Sequence, residues 1–165
     1  MKAIVVYESL WGNTAAIARA IAEGIGPDAR ALTTDEATAA ALADADLIVA
    51  GAPLLAFSLP TEKIRESIGT GSMDAPSRPD LSHPPMCAWL DGLPEGHGRA
   101  AAFETRIWWS PGSAAKAIEL GLERAGYHTV AKRERFIVAG KYGPLREGEI
   151  ERARQWGQTL AQAMG

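Results

Sequence analysis

The opening twenty-five residues constrain this chain more than any other stretch. Ala3-Ile4-Val5-Val6-Tyr7 is an unbroken β-branched and aromatic run with no polar alternation, the pattern of a strand covered on both faces. Ile17, Ala20, Ile21, Gly24 and Ile25 then recur at helical spacing, and Gly24, Gly26 and Pro27 supply stop signals. The residues between form a tight strand-to-helix turn that opens at the positive end of a helix dipole. Such a turn suits a phosphate. Ser9 and Thr14 can donate hydroxyl hydrogen bonds, Asn13 can cap the helix or donate through its amide, and Gly12 allows close backbone approach. The loop contains no lysine, and neither Gly-x-x-x-x-Gly-Lys-Ser/Thr nor Gly-x-Gly-x-x-Gly follows the strand. Hydroxyls and backbone N–H groups alone fit a monophosphate better than a triphosphate with its magnesium.

With its flanking strand and helix, this loop resembles the first loop of the flavodoxin-like FMN-binding proteins, which has the form Ser/Thr-x-x-Gly-x-Thr and wraps the ribityl phosphate. The resemblance implies an α/β fold: a doubly wound, five-stranded parallel sheet of order 2-1-3-4-5 with helices on both faces. It also implies FMN as cofactor, with Ser9, Leu10, Trp11, Gly12, Asn13 and Thr14 around the phosphate. The bland alternative is an ordinary capped turn that binds nothing.

The rest of the chain continues the alternation that a doubly wound sheet requires. Ala29–Leu32 reads as an edge strand, Thr33, Thr34 and Asp35 offer caps for a short helix to Leu42, and Leu47–Gly51 is a second fully apolar strand. In the order implied above, the sheet reverses its winding between strands one and three, so residues 8 to 14 should face residues 52 to 58 across one crevice. Related proteins carry a threonine after the proline of this second loop and then an aromatic or histidine. Here Pro53 is followed by Leu54, Leu55, Ala56 and Phe57. These residues either pack on the isoalloxazine ring by apolar contact or fold into the core.

A helix is predicted over Thr61–Ile68. Residues 69–85, with four prolines and no periodicity, read as a mobile surface loop rather than a lid. Met86–Leu90 predicts a helical turn with Trp89 in the core. Ala100–Phe103 reads as the fourth strand, with Glu104 to Trp109 leaving its carboxyl end beside the crevice. There Trp108 and Trp109 are placed to stack on a flavin. Thr105 joins that wall, and Arg106 either meets the flavin's pyrimidine carbonyls or pairs with Glu104. Ser110-Pro111 resembles a cap and first helical position. Residues 127–130 and 135–138 form a last strand, either broken or extended as a hairpin. The closing helix is given Ile150, Ala153, Gly157, Leu160 and Met164 as its buried stripe. The segment Gly140 to Leu145 resembles the family's C-terminal region and is read as a fold signature without a site role.

At 165 residues, 47% hydrophobic and 22% charged, the chain reads as a single globular domain over 1–165. A net charge of -3 without a basic run argues against nucleic acid or an anionic membrane as partner. Lone Cys87 fits a reducing compartment, no apolar stretch is long enough to span a bilayer, and a cytoplasmic protein is the simplest expectation. His83, His97 and His128 lack ligand spacing and are expected to be solvated, so no metal is assigned.

Two classes of function remain open. One is an FMN-binding redox protein, either a carrier between a reductase and an acceptor protein or an FMN-dependent NAD(P)H:quinone-type oxidoreductase acting on a small quinone. The other is a binding or scaffold domain of the same fold that has lost stable FMN binding, for which Leu54 and Leu55 are the motive. A phosphoacceptor receiver domain fails, because no acidic pair follows the first strand. No residue is assigned as a catalytic acid or nucleophile, since flavin carries the chemistry.

Overall fold

The computed structural model describes residues 1–71 and 75–165. Its sheet is built from β1 (Ala3–Tyr7), β2 (Ala29–Thr33), β3 (Leu47–Pro53), β4 (Arg99–Ile107), β5 (His128–Thr129) and β6 (Glu134–Val138). All pairings are parallel, in the order β2-β1-β3-β4-β5. β6 also pairs with β4, at its carboxyl half. The fifth position is thus one interrupted strand, which settles the open choice between break and hairpin.

Helices cover both faces. On one lie α1 (Asn13–Ile25) and α6 (Glu149–Met164), over Ala3, Val5, Tyr7, Val49 and Phe103. On the other, α2 (Ala39–Leu42), α4 (Met86–Asp91) and α5 (Ala114–Arg124) cover Ile4, Val6, Ile48, Ala50 and Ala102. Successive side chains of β1 and β3 thereby enter opposite cores, which is why both strands are apolar at every position. The α1–α6 seam depends on two glycines. A Cβ on Gly24 would lie 1.9 Å from Arg154 O, and one on Gly157 would lie 2.2 Å from Ile21 O. Phe103, Phe136 and Trp156 meet edge-to-face beneath it, with centroids 6.1 to 6.3 Å apart.

Several local expectations are corrected. β3 runs two residues past Gly51, because Gly51, Ala52 and Pro53 stay paired with Phe103, Glu104 and Thr105. Gly51 is there to make room: a Cβ would sit 2.1 Å from the Phe103 ring. The cap of α2 is Thr38, whose side chain accepts from Ala41 N; Thr33 closes a turn onto Asp35 and Glu36 instead. The cap of α5 is Ser113, so Ser110-Pro111 lies outside the helix. In α6, Ile150 is exposed, and Glu149 takes the buried position, accepting from Ile137 N at 2.6 Å and from Arg152. The helix expected over Thr61–Ile68 is α3 (Glu62–Gly71), which runs three residues further and buries Arg65.

The segment read as a mobile surface loop divides in three. Residues 69–71 complete α3, residues 72–74 lie outside the described residues, and 75–85 is laced to residues 9–11. His83, expected in solvent, is 3% exposed, while His97 and His128 are exposed. Among the described residues no helix is long and apolar enough to cross a membrane.

Candidate functional site

The carboxyl ends of β1, β3 and β4 open into one cleft of about 260 Å³. From the two stretches expected to face each other, Ser9, Leu10, Trp11, Asn13 and Thr14 meet Pro53 to Phe57 across it.

The first wall is the turn from β1 into α1. Gly12 holds φ +92°, and a Cβ there would meet nothing, so its requirement is conformational rather than steric. Gly12 occupies the cap position, and Asn13 starts the helix without capping it. The Asn13 side chain instead donates to Tyr142 O at 3.1 Å. Ser9 Oγ accepts from Gly12 N at 3.1 Å and Ala15 N at 3.2 Å. A hydroxyl has two acceptor sites and one proton, so both acceptor sites are filled and only the proton remains to offer. Ser9 is committed as a donor. Thr14 Oγ1 lies 2.8 Å from Thr105 Oγ1, which leaves one hydroxyl proton of the pair for a ligand. Among the described residues nothing accepts from the backbone N–H of Leu10, Trp11, Asn13 or Thr14. Four amides without a partner among the described residues thus stand at the positive end of a thirteen-residue helix, an arrangement whose chemistry suits an anion.

The second wall is Pro53–Phe57. Leu54 is 8% exposed and packs with Leu59 and Ala52 while still bordering the cleft. Leu54 N donates to Thr105 O at 2.9 Å. Leu55 and Ser58 exchange backbone hydrogen bonds of 3.0 and 3.1 Å around Ala56 and Phe57, which have φ of 47° and 73°. Two non-glycine residues in left-handed conformations make a strained reversal of the kind found at ligand clamps. Phe57 is held out at 67% exposure, and Gly112 packs so closely on its backbone that a Cβ would lie 2.0 Å from Phe57 O.

The third wall corrects the largest site expectation. β4 continues to Ile107, so Thr105 and Arg106 belong to the strand and line the cleft. Trp108 and Trp109 come after it, on the turn, 68% and 65% exposed, and neither lines the cleft. Ile107, Ser110 and Pro111 stand where the tryptophans were expected. The Arg106 guanidinium meets Glu104 at 3.2 Å and Gly112 O at 2.9 Å, so the Glu104 pairing is realised in a side chain that still borders the cleft. Glu104 also accepts from Ser113 Oγ and Ala115 N, fixing the start of α5.

The fourth wall was missed. Val138 and Lys141 line the cleft, and Tyr142 sets its ring edge-to-face on Trp11 with centroids 4.7 Å apart. The segment read only as a fold signature supplies the cation that the first loop lacks. Its signal was its charge, Lys141 between Gly140 and Tyr142, which a local pattern does not connect with residue 13.

Of the fifteen expected site residues, Ser9, Leu10, Trp11, Asn13 and Thr14 meet Pro53 to Phe57 and Thr105–Arg106 on one lining; Gly12 shapes it from behind. Such a lining can hold an anion at one end and a flat apolar body beside Leu55 and Phe57. It holds no nucleophile paired with a base. Among the described residues no three His, Cys, Asp or Glu side chains gather as metal ligands. Cys87 is half-buried, its thiol pushed up by burial.

No family model and no curated protein matches this sequence. Solved structures do. A flavodoxin from the domain Archaea is similar over 99% of this chain and 99% of its own, at 20% identity and a TM-score of 0.68. Oxidised Flavodoxin 1 from Bacillus cereus is similar over 98% of both chains, at 18% identity and a TM-score of 0.67. A flavodiiron core from Synechocystis matches 99% of this chain with 36% of its own, at 20% identity and a TM-score of 0.62. The chain therefore has the flavodoxin-like α/β fold, with the strand order expected from its first loop.

Proposed function

We propose that this chain is a single FMN-binding domain that carries electrons between a reductase and an acceptor protein. The observation that carries the reading is the set of four unpaired amides at Leu10, Trp11, Asn13 and Thr14, with the Ser9 hydroxyl committed to donate beside them. These groups fit a terminal phosphate, because every free valence they present is a donor. Leu55 and Phe57 offer apolar surface to the ring, and Arg106 and Lys141 border the cleft as its two cations. Bound flavin supplies the redox chemistry; the chain binds it, orients it and sets its surrounding charge. Arg106 and Lys141 favour added negative charge, while the enclosing strand ends keep water from one face.

A second reading, a scaffold domain that has lost the cofactor, draws on Leu54, which packs into the core and gives the cleft only an apolar edge. Titration of the purified chain with FMN and with riboflavin, followed in the visible spectrum, separates the two. A carrier takes up FMN at about micromolar concentration or below, and riboflavin at least about tenfold more weakly, since a charge-assisted phosphate grip is worth more than one neutral hydrogen bond. No uptake of either favours the scaffold.

A further inference from the structure

The first loop is gripped from behind. Residues 8 to 11 run beside 77–86 and are joined to it at every position, in steps of three along the partner. Glu8 Oε1 accepts from Met86 N at 2.9 Å, and Ser9 N donates to His83 Nε2 at 3.1 Å. Leu10 O accepts from Asp80 N at 2.8 Å, and Trp11 Nε1 donates to Ser77 O at 3.3 Å. Of these four, the Ser9–His83 bond takes hold of the backbone of a residue whose own side chain organises the cleft.

Both partners are withdrawn from solvent, Ser9 at 5% and His83 at 3% exposure. Because Nε2 accepts, the ring is the neutral tautomer with its proton on Nδ1. Nδ1 lies 3.8 Å from Asp80 Oδ1, beyond hydrogen-bond range, and is buried without a partner among the described residues. The ring is therefore held chiefly through its backbone. Arg65, 2% exposed, donates to His83 O at 2.6 Å, and its Nε faces Glu8 Oε2 at 3.5 Å. Glu8, the residue before Ser9, is fully buried. Arg65 thus hydrogen-bonds the histidine's carbonyl and lies within ion-pair range of the carboxyl of the residue whose peptide the histidine grips.

We propose that His83 is a positioning residue of the anion cradle: its Nε2 fixes the peptide between Glu8 and Ser9, and so aims the Ser9 hydroxyl and the four amides after it at a phosphate. The proposal rests on the functional reading above and extends the site to a segment 74 residues away. Without the imidazole, a buried N–H loses its acceptor, and that loss is met by turning the peptide. A turned peptide moves Ser9 Oγ away from Gly12 N and Ala15 N, which releases the loop.

The test compares His83→Leu, which has no acceptor, with His83→Gln, which keeps one at similar reach, in the full chain. Dissociation constants are measured for FMN and for riboflavin, which lacks the phosphate. Positioning predicts that His83→Leu loses about tenfold in FMN affinity, that riboflavin binding barely changes, and that His83→Gln recovers most of the loss. Equal losses for both ligands would reduce His83 to a structural residue and overturn the proposal, as would no loss at all. If the parent chain takes up no FMN, the functional reading fails by itself. Inorganic phosphate then replaces FMN, with the amide resonances of residues 10–14 as readout. Shifts in the parent and His83→Gln but not in His83→Leu uphold the proposal; shifts in all three, or in none, overturn it. Should His83→Leu fail to fold, the nitrogen–nitrogen coupling across the Ser9–His83 bond decides in the parent chain, and its absence overturns the assignment.

Discussion

Thr14 Oγ1 and Thr105 Oγ1 lie 2.8 Å apart, a buried contact that fastens the first turn of α1 to the carboxyl half of β4. One hydroxyl must donate to the other, so the pair presents a single proton to the cleft. Thr14→Val and Thr105→Val are each expected to weaken FMN binding by about tenfold. The double variant should cost little more than the worse single one, because either substitution alone already breaks the pair that holds the remaining hydroxyl toward the ligand. Calorimetric titration of the four proteins completes the cycle; additive losses would mean that each hydroxyl meets the ligand separately.

The reversal at Ala56–Phe57 opposes stability to binding. Phe57 holds φ 73° without being glycine, a conformation costing about 1 kcal/mol that glycine avoids. Phe57→Gly should raise the free energy of unfolding by up to about 1 kcal/mol, read from the shift in urea midpoint multiplied by m, while lowering FMN affinity, since an exposed aromatic wall is lost. A more stable variant with parental affinity would show that Phe57 does not touch the ligand.

The helix seam admits no methyl group. Gly157→Ala places a Cβ 2.2 Å from Ile21 O and 3.1 Å from Gly24 Cα, where backbone rather than a flexible side chain must give way. A loss of about 2 kcal/mol is expected from forced overpacking, read by chemical denaturation. Unchanged stability would mean that α1 and α6 sit farther apart.

Glu8 makes stability depend on pH. Burial pushes its carboxyl from an ordinary 4.5 up to about 7, against the Met86 N–H and the Arg65 guanidinium, which pull it down, and with Glu62 adding to the rise. The folded chain therefore binds this proton more tightly than the unfolded one. Its contribution is fully present below the unfolded value and is lost as pH rises through about 7, on the order of 3 kcal/mol in all. Glu8→Gln keeps an acceptor for Met86 N and cannot titrate. Denaturation of both proteins between about pH 5 and about pH 8 should show the parent losing stability relative to the variant; parallel curves would refute the assignment.

What the sequence disclosed was what is local. The run Ala3–Tyr7, the turn at Gly12 and the periodicity to Ile25 each lie within a few residues, and with the resemblance they led to the fold and the first wall. The third wall depends on pairing. Because Pro53 stays in register with Thr105, β4 runs on and carries Trp108 and Trp109 beyond the cleft, which no reading of residues 100–109 alone reveals. Lys141 and His83 reach the site from 128 and 69 residues beyond Asn13 and Thr14 respectively, and nothing near them in sequence marks either as a site residue. Glu149 takes the buried place expected of Ile150 because the first turn of α6 faces Ile137 N, a partner that appears only when β6 docks.

The backbone amides of Leu10, Trp11, Asn13 and Thr14 carry the functional reading, and their resonances test it most directly. On adding FMN to isotope-labelled protein, all four should move downfield as they take phosphate oxygens, while riboflavin leaves them near their free positions. FMN bound with those four amides unmoved would contradict the reading, because the anion would then be held elsewhere.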